Sequence, residues 1–365
     1  MVYSIYVTGT RFSGKTALCL GLFGKFQEMG FRVGYFKPVG QGLRMVYGKR
    51  QDPDVILMKE VMGLPEPLDD LSPIVLGKHY LDQEAGDCEE ANRRVMEAYE
   101  RVSKGKDILL IESAPKIEFL TCCDLDVGRF SKEFNARVVL SVKGEDDSAA
   151  EEAILYKHFV EKKGGKILGV VLNLVPRQQL ERIRGIVSPI LERCGLEVLG
   201  VVPDQRELTL PTVQDIMEVL DAEILTGKDK LDTLVDGFLI GAMSPESAMG
   251  WLRRGVGRAL ITGGDRTDLI LMALETKPSV IILTGNLYPT VWVLTTAEEK
   301  DIPIILVPDD TYTTVTKLEL LNGRILPSPL STRKIHLTRQ IVGEYVNWKR
   351  IIDEYVDWKH NRSSE

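Results

Sequence analysis

Gly9-Thr10-Arg11-Phe12-Ser13-Gly14-Lys15-Thr16 satisfies the pattern G-x-x-x-x-G-K-[ST] in full. Tyr3–Val7 before it is apolar and strand-like, and Lys15–Met29 after it has the spacing of a helix. The residue types follow from phosphate chemistry. Gly9 and Gly14 let backbone N–H groups wrap phosphates where a Cβ would clash. The N-terminus of the following helix, with Ala17 in its opening turn, adds partial positive charge. Lys15, expected to face solvent, neutralises the β- and γ-phosphates, and the Thr16 hydroxyl ligates the metal. The expected ligand is a nucleoside triphosphate, ATP, with Mg2+.

Outward from this loop, strand-like and helix-like segments alternate through residues 1–206. Strands are expected at Tyr3–Val7, Arg32–Phe36, Asp107–Ile111, Arg137–Val142, Lys166–Leu172 and Glu197–Val202. Several are near-continuous apolar runs, as in parallel strands buried on both faces. Helical patterns at Lys15–Met29, Asp147–Lys163 and Pro176–Cys194 lie between them. Such alternation implies right-handed crossovers and a doubly wound parallel sheet. Val202-Pro203-Asp204-Gln205-Arg206 marks a boundary. A smaller α/β alternation follows over residues 207–325. Its strands are expected near Asp236–Ala242, Arg258–Ile261, Ser279–Leu283 and Pro303–Val307, and its helices start near Pro245, Thr267, Pro289 and Tyr312.

Residues 326–365 read as a linker and a C-terminal amphipathic helix. Glu344-Tyr345-Val346-Asn347-Trp348-Lys349 returns as Glu354-Tyr355-Val356-Asp357-Trp358-Lys359. The offset rotates by about 80° around a helix, so the copies do not share a face. Ile341, Tyr345, Trp348, Ile352 and Tyr355 do share one. This stripe is expected to pair subunits in a homo-oligomer, or to pack on the second domain.

Length supports two domains. With 44% hydrophobic and 27% charged residues, the chain has ample material for sizeable cores. A net charge of −7 argues against nucleic acid as the main partner. No run reaches the length of a membrane span and no secretory signal is visible, so no membrane partner and a cytoplasmic setting are expected. Five cysteines without metal-ligand spacing suggest reduced thiols. His79 and His336 have no partner pattern.

Two acidic residues could complete a metal site with Thr16. Glu112 ends the apolar run Ile108–Ile111, at the carboxyl end of a strand, where ligands bind in open α/β sheets. A solvated strand-end carboxylate is the plainer alternative. Asp54 precedes a helical pattern and could equally be its N-cap.

Tyr6-Val7-Thr8-Gly9-Thr10, Gly14-Lys15-Thr16 and Gly34-Tyr35-Phe36-Lys37-Pro38-Val39 resemble dethiobiotin synthetase. So do Pro53-Asp54-Val55, Glu112, Leu172-Asn173 and Leu199-Gly200-Val201-Val202-Pro203. The resemblance covers about residues 1–206. It implies that Lys15 and Lys37 face the phosphates and a carboxylated substrate as catalytic lysines. It also implies that Thr16, Asp54 and Glu112 ligate magnesium and that Asn173 reads the base. The chain departs from the family in three places. Its loop is one residue shorter, with Arg11-Phe12-Ser13 where an Asp-Thr pair is usual. Ser113-Ala114-Pro115 follows Glu112 where glycines are usual. Gln41 stands where a serine commonly contacts the diamine.

Val219-Leu220, Gly241-Ala242-Met243-Ser244, Gly264-Asp265-Arg266-Thr267-Asp268, Leu283-Thr284-Gly285 and Pro303…Asp310-Thr311-Tyr312 resemble a DRTGG domain. The two domains in this order are similar to the N-terminal half of long phosphotransacetylases, a half that the resemblance implies is regulatory. A chain ending at 365 is expected to have no room for the acetyl-transferring domain. Read from the residues, Gly264, Asp265, Arg266 and Thr267 open a helix after a strand, as does Thr284-Gly285-Asn286. Two such turns at one sheet end could hold a small anionic effector, with Arg266 forking onto it. Alternatively the glycines serve turns, Asp265 or Thr267 caps the helix, and Arg266 pairs with Asp268.

The expected function is an ATP- and magnesium-binding sensor or regulatory subunit. A ligase acting on a small carboxylate or carbamate is the second reading. An oligomerisation module with a vestigial loop is the third, and intact Lys15 and Thr16 argue against it.

Overall fold

Tyr3–Gly9 (β1) is buried at every position, the environment of a central parallel strand. Val33–Phe36 (β2), Ile108–Glu112 (β3), Arg137–Lys143 (β4), Lys166–Val175 (β5) and Val198–Pro203 (β6) join it in one sheet of order β6-β5-β4-β1-β3-β2. Every pairing in the sheet is parallel. Val7 lies opposite Glu112 on one side of β1, and Gly9 opposite Ser141 on the other. The chain winds one way to reach β2 and β3 and the other way to reach β4. The carboxyl end of β1 is therefore a topological switch point, where open α/β sheets bind ligands.

The computed structural model describes residues 2–363 apart from 43, 47, 78, 82–86, 255–256 and 320–331. The expected boundary at 325/326 falls outside them. The described residues form two compact units, Met1–Gln205 with Thr332–Glu365, and Arg206–Ser331.

Two features of the first unit depart from the sequence pattern. Residues 176–194 do not form one helix. A 3-10 turn at Arg177–Gln179 leads through Leu180–Arg182 into a π-type stretch, Ile183–Val187, before an α-helix at Ser188–Arg193. Pro189 has no N–H for the Gly185 carbonyl and its ring crowds that oxygen, so the helix widens there. In addition, Cys88 and Cys123 form a disulfide, which corrects the expectation of five reduced thiols. Adjacency keeps Cys122 and Cys123 from pairing with each other but says nothing of a partner 35 positions away.

The tail also corrects an expectation. It is two helices, Thr332–Tyr345 and Trp348–Ser363, and both belong to the first unit. The first lies on Lys15–Glu28. A Cβ on Gly21 would stand 2.3 Å from Val342 Cγ2, so the absent side chain is what lets the helices approach. Between the two helices, Val346 bridges to Gly200 and Asn347 N–H donates to the Leu199 carbonyl at 2.7 Å. The tail thus covers the open edge of β6, an edge that would otherwise offer unpaired backbone groups. In the second tail helix Tyr355 and Trp358 pack on Tyr3, with ring centroids at 5.6 and 5.5 Å. The stripe through Ile341, Ile352 and Tyr355 is buried against the chain's own first unit.

In the second unit, Glu223–Thr226 (β7), Phe238–Ile240 (β8), Ala259–Gly263 (β9), Val280–Thr284 (β10) and Ile304–Leu306 (β11) form a sheet of order β7-β11-β10-β9-β8. Only β7, at the edge, runs antiparallel. Side chains alternate between two cores. Leu260, Ile281 and Leu283 meet Leu269, Ile270 and Val293 on one face. Ala259, Ile261 and Ile282 meet Val213, Ile216 and Leu318 on the other. Helix Val213–Leu220 is started by a capping box between Thr212 and Asp215. Among the described residues no helix is long and apolar enough to cross a membrane.

Candidate nucleotide-binding site

The loop after β1 is held from the neighbouring strand. Gly9 has φ +148°, and a Cβ there would stand 1.8 Å from the Ser141 carbonyl oxygen, so only glycine fits. Thr10 N–H donates to that same oxygen. Farther along, the Ser13 carbonyl accepts from Ser141 Oγ and from Asn173 Nδ2, each at 2.8 Å. Gly14 is left-handed, with φ +79°, and turns the chain into helix Lys15–Glu28. No side chain caps that helix, so its first amide N–H groups remain directed at the loop. The Ser13 hydroxyl is fully buried and has no hydrogen-bond partner among the described residues.

Lys15 is buried rather than solvent-facing, at 6% exposure. Its Nζ donates to the carbonyls of Thr10 at 2.8 Å and Pro115 at 3.3 Å. Burial lowers its pKa to about 8, and Glu112 offsets part of that shift. A lysine so placed is held close to its own loop, because the ends of β1 and β3 enclose its stem.

Thr16, Glu112, Lys37 and Asp54 come together, although they lie far apart in the chain. Thr16 Oγ1 donates to Glu112 Oε1 at 2.9 Å. Lys37 Nζ stands 2.6 Å from Asp54 Oδ2 and 3.3 Å from Glu112 Oε1. Two further residues, neither given a site role from the sequence, complete the cluster. Tyr35 donates its hydroxyl to Glu112 Oε2 at 2.9 Å. Asp52 Oδ2 is 3.1 Å from Lys37 Nζ. Asp52, not Asp54, is the N-cap of helix Pro53–Met62, accepting from Asp54 N–H at 2.8 Å. It also accepts from Gln41 N–H at 2.6 Å. An aspartate directly before a proline at the first helical position is a capping signal visible in sequence. Burial works against the charge on Lys37, but Asp52, Asp54 and Glu112 outweigh it and hold its pKa well above the usual lysine value. Burial raises the Asp52 and Glu112 carboxyls, and Lys37 opposes it.

This donor set fits a magnesium ion. Among the described residues no group of three His, Cys, Asp or Glu is spaced to hold a metal. Magnesium needs no such cage, since it takes one or two carboxylates with phosphate oxygens and waters. Thr16 with Glu112 and Asp54 supplies that number. Asn173 sits differently from a free base reader. Its amide NH2 holds Ser13 and its Oδ1 accepts from Leu174 N–H, so the loop and β5 engage both ends.

In the second unit, Gly264 allows close approach, because a Cβ there would stand 1.7 Å from the Leu287 carbonyl oxygen. Neither Asp265 nor Thr267 caps helix Thr267–Leu274. Arg266 donates to the Met243 carbonyl at 2.9 Å and lies 3.8 Å from Asp268. The two turns after β9 and β10 thus meet through Gly264 and Leu287.

A parallel sheet with this loop at its switch point defines a P-loop protein of the α/β class. A family model described as AAA domain matches residues 3–212, more than half of the chain, and the chain belongs to that family. A second model, DRTGG domain, matches residues 215–321. A phosphate acetyltransferase of Nitratidesulfovibrio vulgaris is 27% identical over 372 residues, covering 95% of this chain and 51% of that protein. The chain thus spans about half the length of that relative. An ATP-dependent dethiobiotin synthetase of Methanocaldococcus jannaschii is 24% identical, covering 56% of this chain and 96% of that protein. Among solved structures, cobyrinic acid a,c-diamide synthase from Mycobacterium smegmatis, with bound ADP and magnesium, is 16% identical over 56% of this chain and 88% of that one, with a TM-score of 0.39.

Proposed function

We propose that the first unit binds ATP with magnesium and that the protein acts as a nucleotide-dependent sensor or regulatory subunit. The hydrogen bond between Thr16 and Glu112 beside the buried ammonium of Lys15 carries this reading. A hydroxyl, a carboxylate and a cation stand together at the mouth of one loop, which supports the reading. Magnesium, when bound, supplies charge neutralisation at the phosphate oxygens. The chain's own part is to present loop N–H groups and Lys15 to the phosphates, with Thr16, Glu112 and Asp54 on the metal. The second unit takes a small anionic effector on the turn Gly264-Asp265-Arg266-Thr267. Its regulatory role rests on the pairing of the two domains, and the phosphate acetyltransferase of Nitratidesulfovibrio vulgaris matches 95% of this chain over about half of its own length. Homo-oligomerisation stays part of the proposal on the family resemblance alone, since Ile341, Ile352 and Tyr355 of the tail stripe are buried in its own unit.

A ligase acting on a carboxylate or carbamate is the second reading, favoured by Lys37 standing beside the metal ligands. Calorimetric titration with ATP and Mg2+ tests the first step; no binding would end both readings. Turnover then separates them. ATP hydrolysis that rises only on adding an amine or carboxylate supports the ligase, and slow hydrolysis indifferent to both supports the sensor.

A further inference from the structure

We propose that Arg11 is a clamp for the terminal phosphate, carried by the loop itself, and that Phe12 is the seat on which its guanidinium rests. This inference rests on the nucleotide-binding reading above and adds to it a preference for triphosphate over diphosphate.

Thr10 to Ser13 form a turn, closed by Ser13 N–H donating to the Thr10 carbonyl at 3.3 Å. Both ends are fastened to the sheet. Thr10 N–H donates to the Ser141 carbonyl, and Thr10 Oγ1 accepts from Lys143 N–H at 3.4 Å. The Ser13 carbonyl accepts from Ser141 and Asn173. Arg11 and Phe12 are the two corner residues, so Arg11 is presented from a fixed base. The corner is strained. Phe12 has φ +57°, a left-handed conformation that an aromatic residue rarely adopts. Strain of this kind persists where the surroundings enforce it, and it gathers at ligand clamps.

The Arg11 side chain is exposed, and its guanidinium carbon lies 4.6 Å from the centroid of the Phe12 ring. Among the described residues it has no hydrogen bond and no ion pair. Arg32, Arg101 and Arg182 are also exposed, and each of them pairs with a carboxylate. Stacking on a ring holds a guanidinium by its face and leaves all its N–H donors for an anion. The position selects the anion. Lys15 Nζ is 2.8 Å from the Thr10 carbonyl, on the peptide that joins Thr10 to Arg11. Lysine at this place in the loop meets the β- and γ-phosphates. Arg11 starts from the same peptide but on the solvent side, where the outermost phosphate stands.

Calorimetric titration of the full-length protein with ATP and with ADP, each with Mg2+, gives the ratio of the two affinities. Wild type is expected to favour ATP. Arg11→Ala should lower ATP affinity by about tenfold or more, as charge-assisted hydrogen bonds are lost, and leave ADP affinity within about twofold. Retained ADP binding also shows that the loop is intact in the variant. Arg11→Lys should recover part of the ratio, because the charge returns without the fork. Wild type without a preference for ATP, an unchanged ratio in Arg11→Ala, or an equal fall for both nucleotides overturns the clamp. Phe12→Leu keeps an apolar side chain and removes the ring face. Its ATP affinity should fall by about threefold with ADP unchanged, and an unchanged ATP affinity overturns the seat. Wild-type protein that binds neither nucleotide overturns the nucleotide reading itself, a result distinct from any of these.

Discussion

Thr16 Oγ1 donates a 2.9 Å hydrogen bond to Glu112 Oε1, joining the first turn of helix Lys15–Glu28 to the carboxyl end of β3, 96 positions away. The register of β1 against β3 makes the contact. Val7 lies opposite Glu112, so the loop that follows β1 must turn across the carboxylate.

Lys15→Ala should weaken binding of ATP with magnesium by about 2–3 kcal/mol, the scale of a hydrogen bond to a charged group. It should also change the pH dependence of stability. The folded pKa is about 8 against 10.5 for an ordinary lysine. Between those values the unfolded chain holds a proton that the folded chain has released, so Lys15 makes stability rise with pH through that window. The complete effect is about 3 kcal/mol at 1.36 per unit. Urea unfolding of wild type and variant at several pH values checks this. Identical slopes would remove the buried ammonium from the account.

Glu112→Gln keeps shape but loses charge. Magnesium-dependent affinity should fall while metal-free nucleotide binding is spared, because loop amides hold the phosphates. Titrations with and without chelator read the two separately. An equal fall in both would mean that Glu112 acts through packing and through Tyr35.

Gly21→Ala ought to stabilise an isolated helix by about 1 kcal/mol. Here it should destabilise, by about 1–3 kcal/mol, because the new methyl meets Val342. Val342→Ala in the same chain should recover part of the loss. Thermal melts of the two single variants and the double decide it; purely additive losses would show that the tail does not pack on this helix.

The Cys88–Cys123 link closes a loop of 35 positions. Chain entropy gives such a closure a stabilisation of about 4 kcal/mol as an upper figure. Mass spectrometry without reductant should show one disulfide, and reductant should lower the melting temperature. Five free thiols in the unreduced protein would refute the bond.

Much of the site was legible in the residues, and the reasons are local. The loop from Gly9 to Thr16 announces itself because glycines, lysine and hydroxyl recur at fixed spacing. All six strands of the first sheet show as apolar runs, with ends displaced by at most three residues. The partners of Lys37 were harder to read. Asp52 had the signature of a helix cap, and nothing in its neighbourhood of the sequence says that Lys37 lies 3.1 Å away. Tyr35 looked like one more apolar strand position. Its hydroxyl finds Glu112 only because β2 pairs with β3.

The tail shows where local pattern stops. Glu344–Lys349 and Glu354–Lys359 differ only in Asn347 against Asp357, with the same helix-forming character. From composition and spacing both should be helical, and the second copy is, lying wholly inside Trp348–Ser363. The first copy breaks at Val346 and Asn347. It stands beside the edge strand β6, whose backbone groups lack a partner strand, and the chain leaves the helix to bond Leu199 and bridge Gly200. Asn347 then restarts the helix by accepting from Arg350 N–H at 3.3 Å. Six residues carry the preference for a helix and the apolar face. Whether that helix continues depends on hydrogen-bond partners nearly 150 residues earlier in the chain, brought alongside by the sheet (about the separation of Leu199 from Asn347).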